Sequence, residues 1–166
     1  MASSAITIDA YCDATTMVAC QTGQVCNVAL TTTTTGCATP AYTVGAGTVT
    51  DPATGLVWQQ SPTTMFYDWD STGADTGSGQ YYCAHLSLGG FASGWRLPTI
   101  SELYSLVVPG SAPTIDQTSF PGTQSNDYWA STPVAGNSTL AWSVFFTLGV
   151  AQEGTVTGGN YVRCVH

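Results

Sequence analysis

Six cysteines constrain the topology more than any other feature. Cys12, Cys20, Cys26 and Cys37 crowd one short stretch, while Cys83 and Cys164 stand far apart. The count is even and no C-x-x-C pair exists, so the pattern suits disulfides rather than a metal or redox centre. The four crowded cysteines are expected to pair among themselves, which leaves Cys83 with Cys164. Such a bridge would tie the middle of the chain to its last residues. Disulfides in a chain so poor in charge point to an oxidising, extracytoplasmic setting.

The charge balance narrows the partners. Ten acidic and two basic side chains give a net charge of −8. Nucleic acid binding depends on Lys and Arg neutralising phosphates, so this composition argues against it. It equally disfavours anionic lipid headgroups and sulfated polysaccharides. No apolar run is long enough for a membrane span. The start, Met1 to Asp9, has neither a basic n-region nor a long apolar h-region, so it does not read as a signal peptide. Export would then use a signal outside this sequence, or another route.

Both arginines, Arg96 and Arg163, sit between apolar neighbours. A guanidinium in such surroundings is expected to be partly covered, with its fork on carboxylates or carbonyls. Arg96 opens the stretch around which the domain is organised, Gly94 to Val107. Leu97 precedes Pro98 and is pushed toward extended backbone. Thr99 then makes a good N-cap, with Glu102 three residues on as a capping box requires. Ile100, Leu103, Tyr104 and Val107 share one helical face. Trp95 and Leu97 are expected to enter the core that this face covers.

Elsewhere the signals are shorter. Residues 1–41 read as a cysteine- and Thr-rich extension, with Ile6 and Ile8 in a weak strand and a threonine run at 31–35. Residues 42–60 read as a hairpin turning at Asp51-Pro52-Ala53-Thr54-Gly55. Asp68, Asp70 and Asp75 partly echo a calcium loop, but position 12 of that pattern is Gly79 instead of the bidentate Glu. They are the candidate metal ligands; otherwise the loop is a solvated acidic one, and no other cofactor is expected. Residues 80–88 suggest a helix stopped by Gly89-Gly90. Short strands are expected at 128–131, 141–146, 154–157 and 161–165, as in an antiparallel meander. Asn137-Ser138-Thr139 is a glycosylation sequon.

Taken in order, Asp51-Pro52-Ala53-Thr54-Gly55-Leu56-Val57-Trp58, Tyr82-Cys83, Gly94-Trp95-Arg96-Leu97-Pro98-Thr99, Glu102-Leu103, Phe120-Pro121, Tyr128-Trp129-Ala130-Ser131 and Tyr161-Val162-Arg163-Cys164-Val165 resemble the DUF1566 family, also called the Lcl C-terminal domain family. The resemblance covers about residues 42–166. It implies an α+β, C-type-lectin-like fold, with two short helices on short antiparallel sheets. It also implies a bridge from a first-helix cysteine to the closing strand, which maps to Cys83 and Cys164. Loops 111–127 and 131–160 would then form an exposed recognition face. Sulfated polysaccharide, the ligand of a family relative, is not carried over, because the basic residues it needs are missing.

The resulting expectation is a non-enzymatic, secreted or cell-surface module that binds a glycan or protein. Asp127, Tyr128, Trp129, Asn137, Trp142, Asn160 and Tyr161 are its candidate binding residues. Trp95, Arg96, Glu102 and Arg163 take structural roles beside the two cysteines. Two other roles suit the same residues. One is a self-associating subunit of an extracellular filament, with the Ile6/Ile8 strand added to a neighbour's sheet. The other is a variable target protein of a diversity-generating retroelement. No catalytic triad, phosphate loop or metal cluster is legible.

Overall fold

The computed structural model of the chain describes residues 25–26, 37–38, 42–110 and 112–166. Its contacts divide it into two units, Met1–Ala41 and Tyr42–His166. In the first, strands β1 (Val25–Cys26) and β2 (Cys37–Ala38) pair antiparallel, with Cys26 opposite Cys37 along the backbone. The expected Ile6/Ile8 strand, and the side-chain pairing of Cys12, Cys20, Cys26 and Cys37, lie outside the described residues.

The second unit is α+β, with two three-stranded antiparallel sheets and two short helices. The first sheet orders β3 (Thr43–Gly45), β4 (Thr48–Thr50) and β5 (Val57–Gln59) side by side. Ala46 and Gly47 join β3 to β4 with φ of 51° and 79°, the two left-handed residues that a tight type I′ hairpin demands. Asp51 then turns β4 into β5: its carboxylate accepts from the Ala53 N–H and the Thr54 hydroxyl, and its carbonyl accepts from the Gly55 N–H.

The second sheet is β6 (Asp127–Val134), β7 (Asn137–Phe145) and β8 (Val150–Thr155). It separates two apolar clusters. Tyr128, Ala130 and Val144 face one, with Trp58, Leu103, Leu106, Ile115 and Phe120. Trp129 and Ala141 face the other, with Trp69, Trp95, Leu97, Val162 and the Cys83 and Cys164 sulfurs. Burial on both faces explains why Ser143 and Val144 are both inaccessible, though only one of them is apolar.

Helix α1 (Gly79–Ala84) is capped by Ser78, whose hydroxyl accepts from the Tyr81 N–H. It ends before the expected 88, because residues 85–91 turn away and place Leu86 and Leu88 against the second cluster. Helix α2 (Ile100–Tyr104) carries the full capping box between Thr99 and Glu102. Its buried face differs from the periodic reading. Leu103, Leu106 and Val107 are covered, while Tyr104 is exposed. Trp95 and Leu97 lead into the cluster opposite the one that α2 covers. The sheet comes between them, and β6 ties this entry down, with the Ser131 N–H donating to the Pro98 carbonyl at 2.7 Å.

Residues 161–165 form isolated bridges rather than a strand of one ladder. Tyr161 meets Tyr128, and Val165 meets both Trp58 and Arg96. The segment changes partner within a few residues, so its apolar alternation serves three neighbours in turn. The bridge of Cys83 to Cys164 pins it to α1, with Cα atoms 5.4 Å apart. Among the described residues, no helix is long and apolar enough to cross a membrane.

The two arginines take different environments. Arg96 forks onto Glu102, at 2.8 and 2.7 Å, with its own side chain 47% exposed. Arg163 is fully buried, and its fork donates to the carbonyls of Gln59 and Gln60 and to the Thr123 hydroxyl. The Arg96 fork, helped by the N–H and hydroxyl of Thr99, holds the Glu102 carboxyl down at about 2. A carboxyl depressed in the fold stabilises above its unfolded value, near 4.3, and loses that stabilisation as pH falls toward 2. Solvent around Arg96 limits the effect to about 1 kcal/mol. Denaturant unfolding at pH 6 and pH 2.5 should therefore show the gap between wild type and Glu102→Gln shrinking by about that amount.

Candidate functional site

One end of the second sheet is polar. Register places Trp129 of β6 opposite Ser143 of β7, and Ser143 opposite Gln152 of β8. Side chains two residues apart share a face, so Asp127 stands on the Trp129 side and Gly154 on the Gln152 side. These residues line an open cleft of about 150 Å³, completed by Thr155, Gly158 and Asn160.

The carboxylate of Asp127 is held in place. Its Oδ1 accepts from Ser143 Oγ at 2.9 Å and from Gln152 Nε2 at 2.8 Å. Its carbonyl accepts from the Tyr161 N–H at 3.0 Å. Trp129 forms a wall, oriented by its indole N–H, which donates to the Tyr67 carbonyl at 2.8 Å. Gly154 is required by space: a Cβ there would lie 2.7 Å from Trp129 Cη2. Asn160 is anchored through its backbone, which exchanges hydrogen bonds with Tyr67 at 2.9 and 3.1 Å. Its amide makes no hydrogen bond among the described residues.

Of the sequence-derived candidates, Asp127, Trp129 and Asn160 therefore meet at one place. The others do not. Tyr128 is buried in the first cluster with its hydroxyl accepting from the Gln124 N–H, so its ring is core and not a contact surface. Trp129, expected as a binding residue, is also fully buried, so its ring backs the cleft and offers no exposed face. Tyr161 packs between Tyr128 and Phe66. Trp142 lies on the opposite sheet face, partly buried against the first cluster. Asn137 stands at the exposed β6–β7 turn, with its side-chain oxygen accepting from the N–H and hydroxyl of Thr139.

Two loop expectations also change. Residues 112–126 are less exposed than a recognition loop would be, because Thr114, Ile115, Ser119, Phe120 and Thr123 are buried. Asp68, Asp70 and Asp75 do not form a metal-holding group, and none exists among the described residues. The reason is local. The oxygens of Asp70 are taken by the N–H groups of Asp75, Thr72 and Ala74 and by the Thr72 hydroxyl, which hold its carboxyl at about 2. Asp75 turns to the Gly77 N–H.

Ser143, Gln152, Gly154, Thr155 and Gly158 were not among the candidates. Gln152 sits on an edge strand that is exposed along most of its length, so no apolar alternation marks it. The signal that was available is the short turn after Phe145, whose register sets Gln152 beside Ser143.

The model of the Lcl C-terminal domain family matches residues 47–166, a span that includes the whole cleft. No curated protein matches the chain.

Proposed function

The chain belongs to the Lcl C-terminal domain family, and from that premise we propose that it is a secreted or cell-surface binding module, with a C-type-lectin-like domain that takes its ligand in the cleft beside Asp127. The observation that carries this reading is the preset polar group in an open concavity: a carboxylate oriented by two donors and an unused amide, backed by a buried tryptophan. Binding sites hold a few such polar groups in fixed places. The lectin-like reading is supported by the closing segment, which lies beside β5 and is bridged to α1. An extracytoplasmic location is supported by that disulfide and by the near-absence of surface cations.

Glycan arrays and adherence assays with the full chain test the proposal. Retention on at least one class of glycan or cell surface, lost on unfolding, is the expected result. Flat responses on every surface would sink it.

A further inference from the structure

Resting on that reading, we infer that the cleft takes a single uncharged sugar ring, gripped through neighbouring hydroxyls, with Asp127 as the central acceptor. The first argument is electrostatic. A carboxylate accepts hydrogen bonds and donates none. With Oδ1 occupied by Ser143 and Gln152, Oδ2 is the oxygen left to meet a ligand, and the ligand must bring a donor. Sulfate and carboxylate bring none, and they, like phosphate with its remaining proton, would place like charge beside Asp127. No cation is near enough in role to offset this. Arg163 is buried on carbonyls, and Arg96 is committed to Glu102.

Two donor classes remain, hydroxyls and ammonium groups. Asn160 separates them. Its amide offers two N–H donors as well as an acceptor oxygen, and an ammonium has no acceptor to answer those donors. A hydroxyl both donates and accepts, so adjacent hydroxyls can give one proton to Asp127 Oδ2 while exchanging with the Asn160 amide.

Size supplies the second argument. A volume of about 150 Å³ is roughly five waters' share of liquid, below the usual range for drug-sized ligands. It admits one ring, at the end of a chain or alone.

The test is saturation-transfer NMR and calorimetry on the full chain. The probes are methyl glycosides of mannose, galactose and N-acetylglucosamine, with glucuronate, a sulfated monosaccharide and methylammonium alongside. At least one neutral glycoside should bind, and the anionic and ammonium probes should not. Asp127→Asn and Asn160→Ala should each weaken that binding about tenfold or more, and Glu153→Gln, on the opposite sheet face, should leave it unchanged. The Asn160 amide holds nothing else among the described residues, so Asn160→Ala keeps the test decisive if Asp127→Asn lowers the unfolding midpoint. Neutral binding that survives both variants would overturn the inference, as would tighter binding of a charged probe. If no monosaccharide binds while the chain still adheres to a surface, the inference falls and the binding-module reading stands. If adherence is absent too, that reading falls with it.

Discussion

Replacing Cys83 and Cys164 together by serine should lower the unfolding free energy of the Tyr42–His166 unit by roughly 4–5 kcal/mol, the value that loop-closure entropy assigns to a bridge of this span. The two residues are 81 apart in sequence, so the bridge removes much of the freedom of the unfolded chain. Its position adds to the effect. Both sulfurs are fully buried in the cluster of Trp69, Trp95, Trp129 and Val162, where a serine hydroxyl has no apolar substitute to offer. The closing segment is otherwise held by scattered bridges and by its pairing to β5 through Val57 and Gln59. Urea unfolding of the oxidised, reduced and double-serine forms measures the loss. Equal midpoints for all three would show that the closing segment is held by packing alone. Many domains of this size have only 5–15 kcal/mol to lose, so the reduced form should be close to unfolding at 37 °C.

Arg163→Met should cost about 3–5 kcal/mol, because it leaves three acceptors without a donor at about 1–3 kcal/mol for each that stays dry. The guanidinium is an unusual core residue, because among the described residues it has no carboxylate beside it. Burial pushes it down to about 10, and it remains charged at neutral pH. Its charge is met by carbonyl dipoles from Gln59 and Gln60, the Thr123 hydroxyl and the face of Phe120, 4.8 Å from the guanidinium carbon. These groups come from the end of β5 and from the loop before β6, so a single fork joins the closing segment to two other parts of the chain. Methionine keeps most of the stem and abandons all three acceptors. Arg163→Lys should recover less than half of the loss, since an ammonium cannot span acceptors spread across a planar fork. Circular dichroism melts and urea titrations of both variants distinguish these outcomes. A variant as stable as wild type would mean that water reaches the carbonyls of Gln59 and Gln60 and replaces the fork.

Much of the architecture was written in local chemistry. Thr99 and Glu102 specify the start of α2 through a capping box that needs nothing beyond the turn itself. Asp51, Ala53 and Gly55 specify the turn into β5 for the same reason. Crowding of four cysteines left Cys83 for Cys164, and the two are bonded. Placing a side chain on one sheet face or the other was harder. Tyr128 and Trp129 are neighbours in sequence and enter opposite clusters, so the same aromatic signal stands for two different environments.

The sequence by itself determined what depends on neighbours a few residues apart: the caps, the turns, the apolar character of the strands, and a charge balance hostile to polyanions. Only the tertiary structure decided which polar groups meet. Asp127, Ser143, Gln152 and Asn160 are scattered along the chain, and no local rule relates them. Their meeting is set by the register of three strands and by a closing loop clamped to Tyr67. Register is a long-range quantity, fixed only when both faces of the sheet find their clusters.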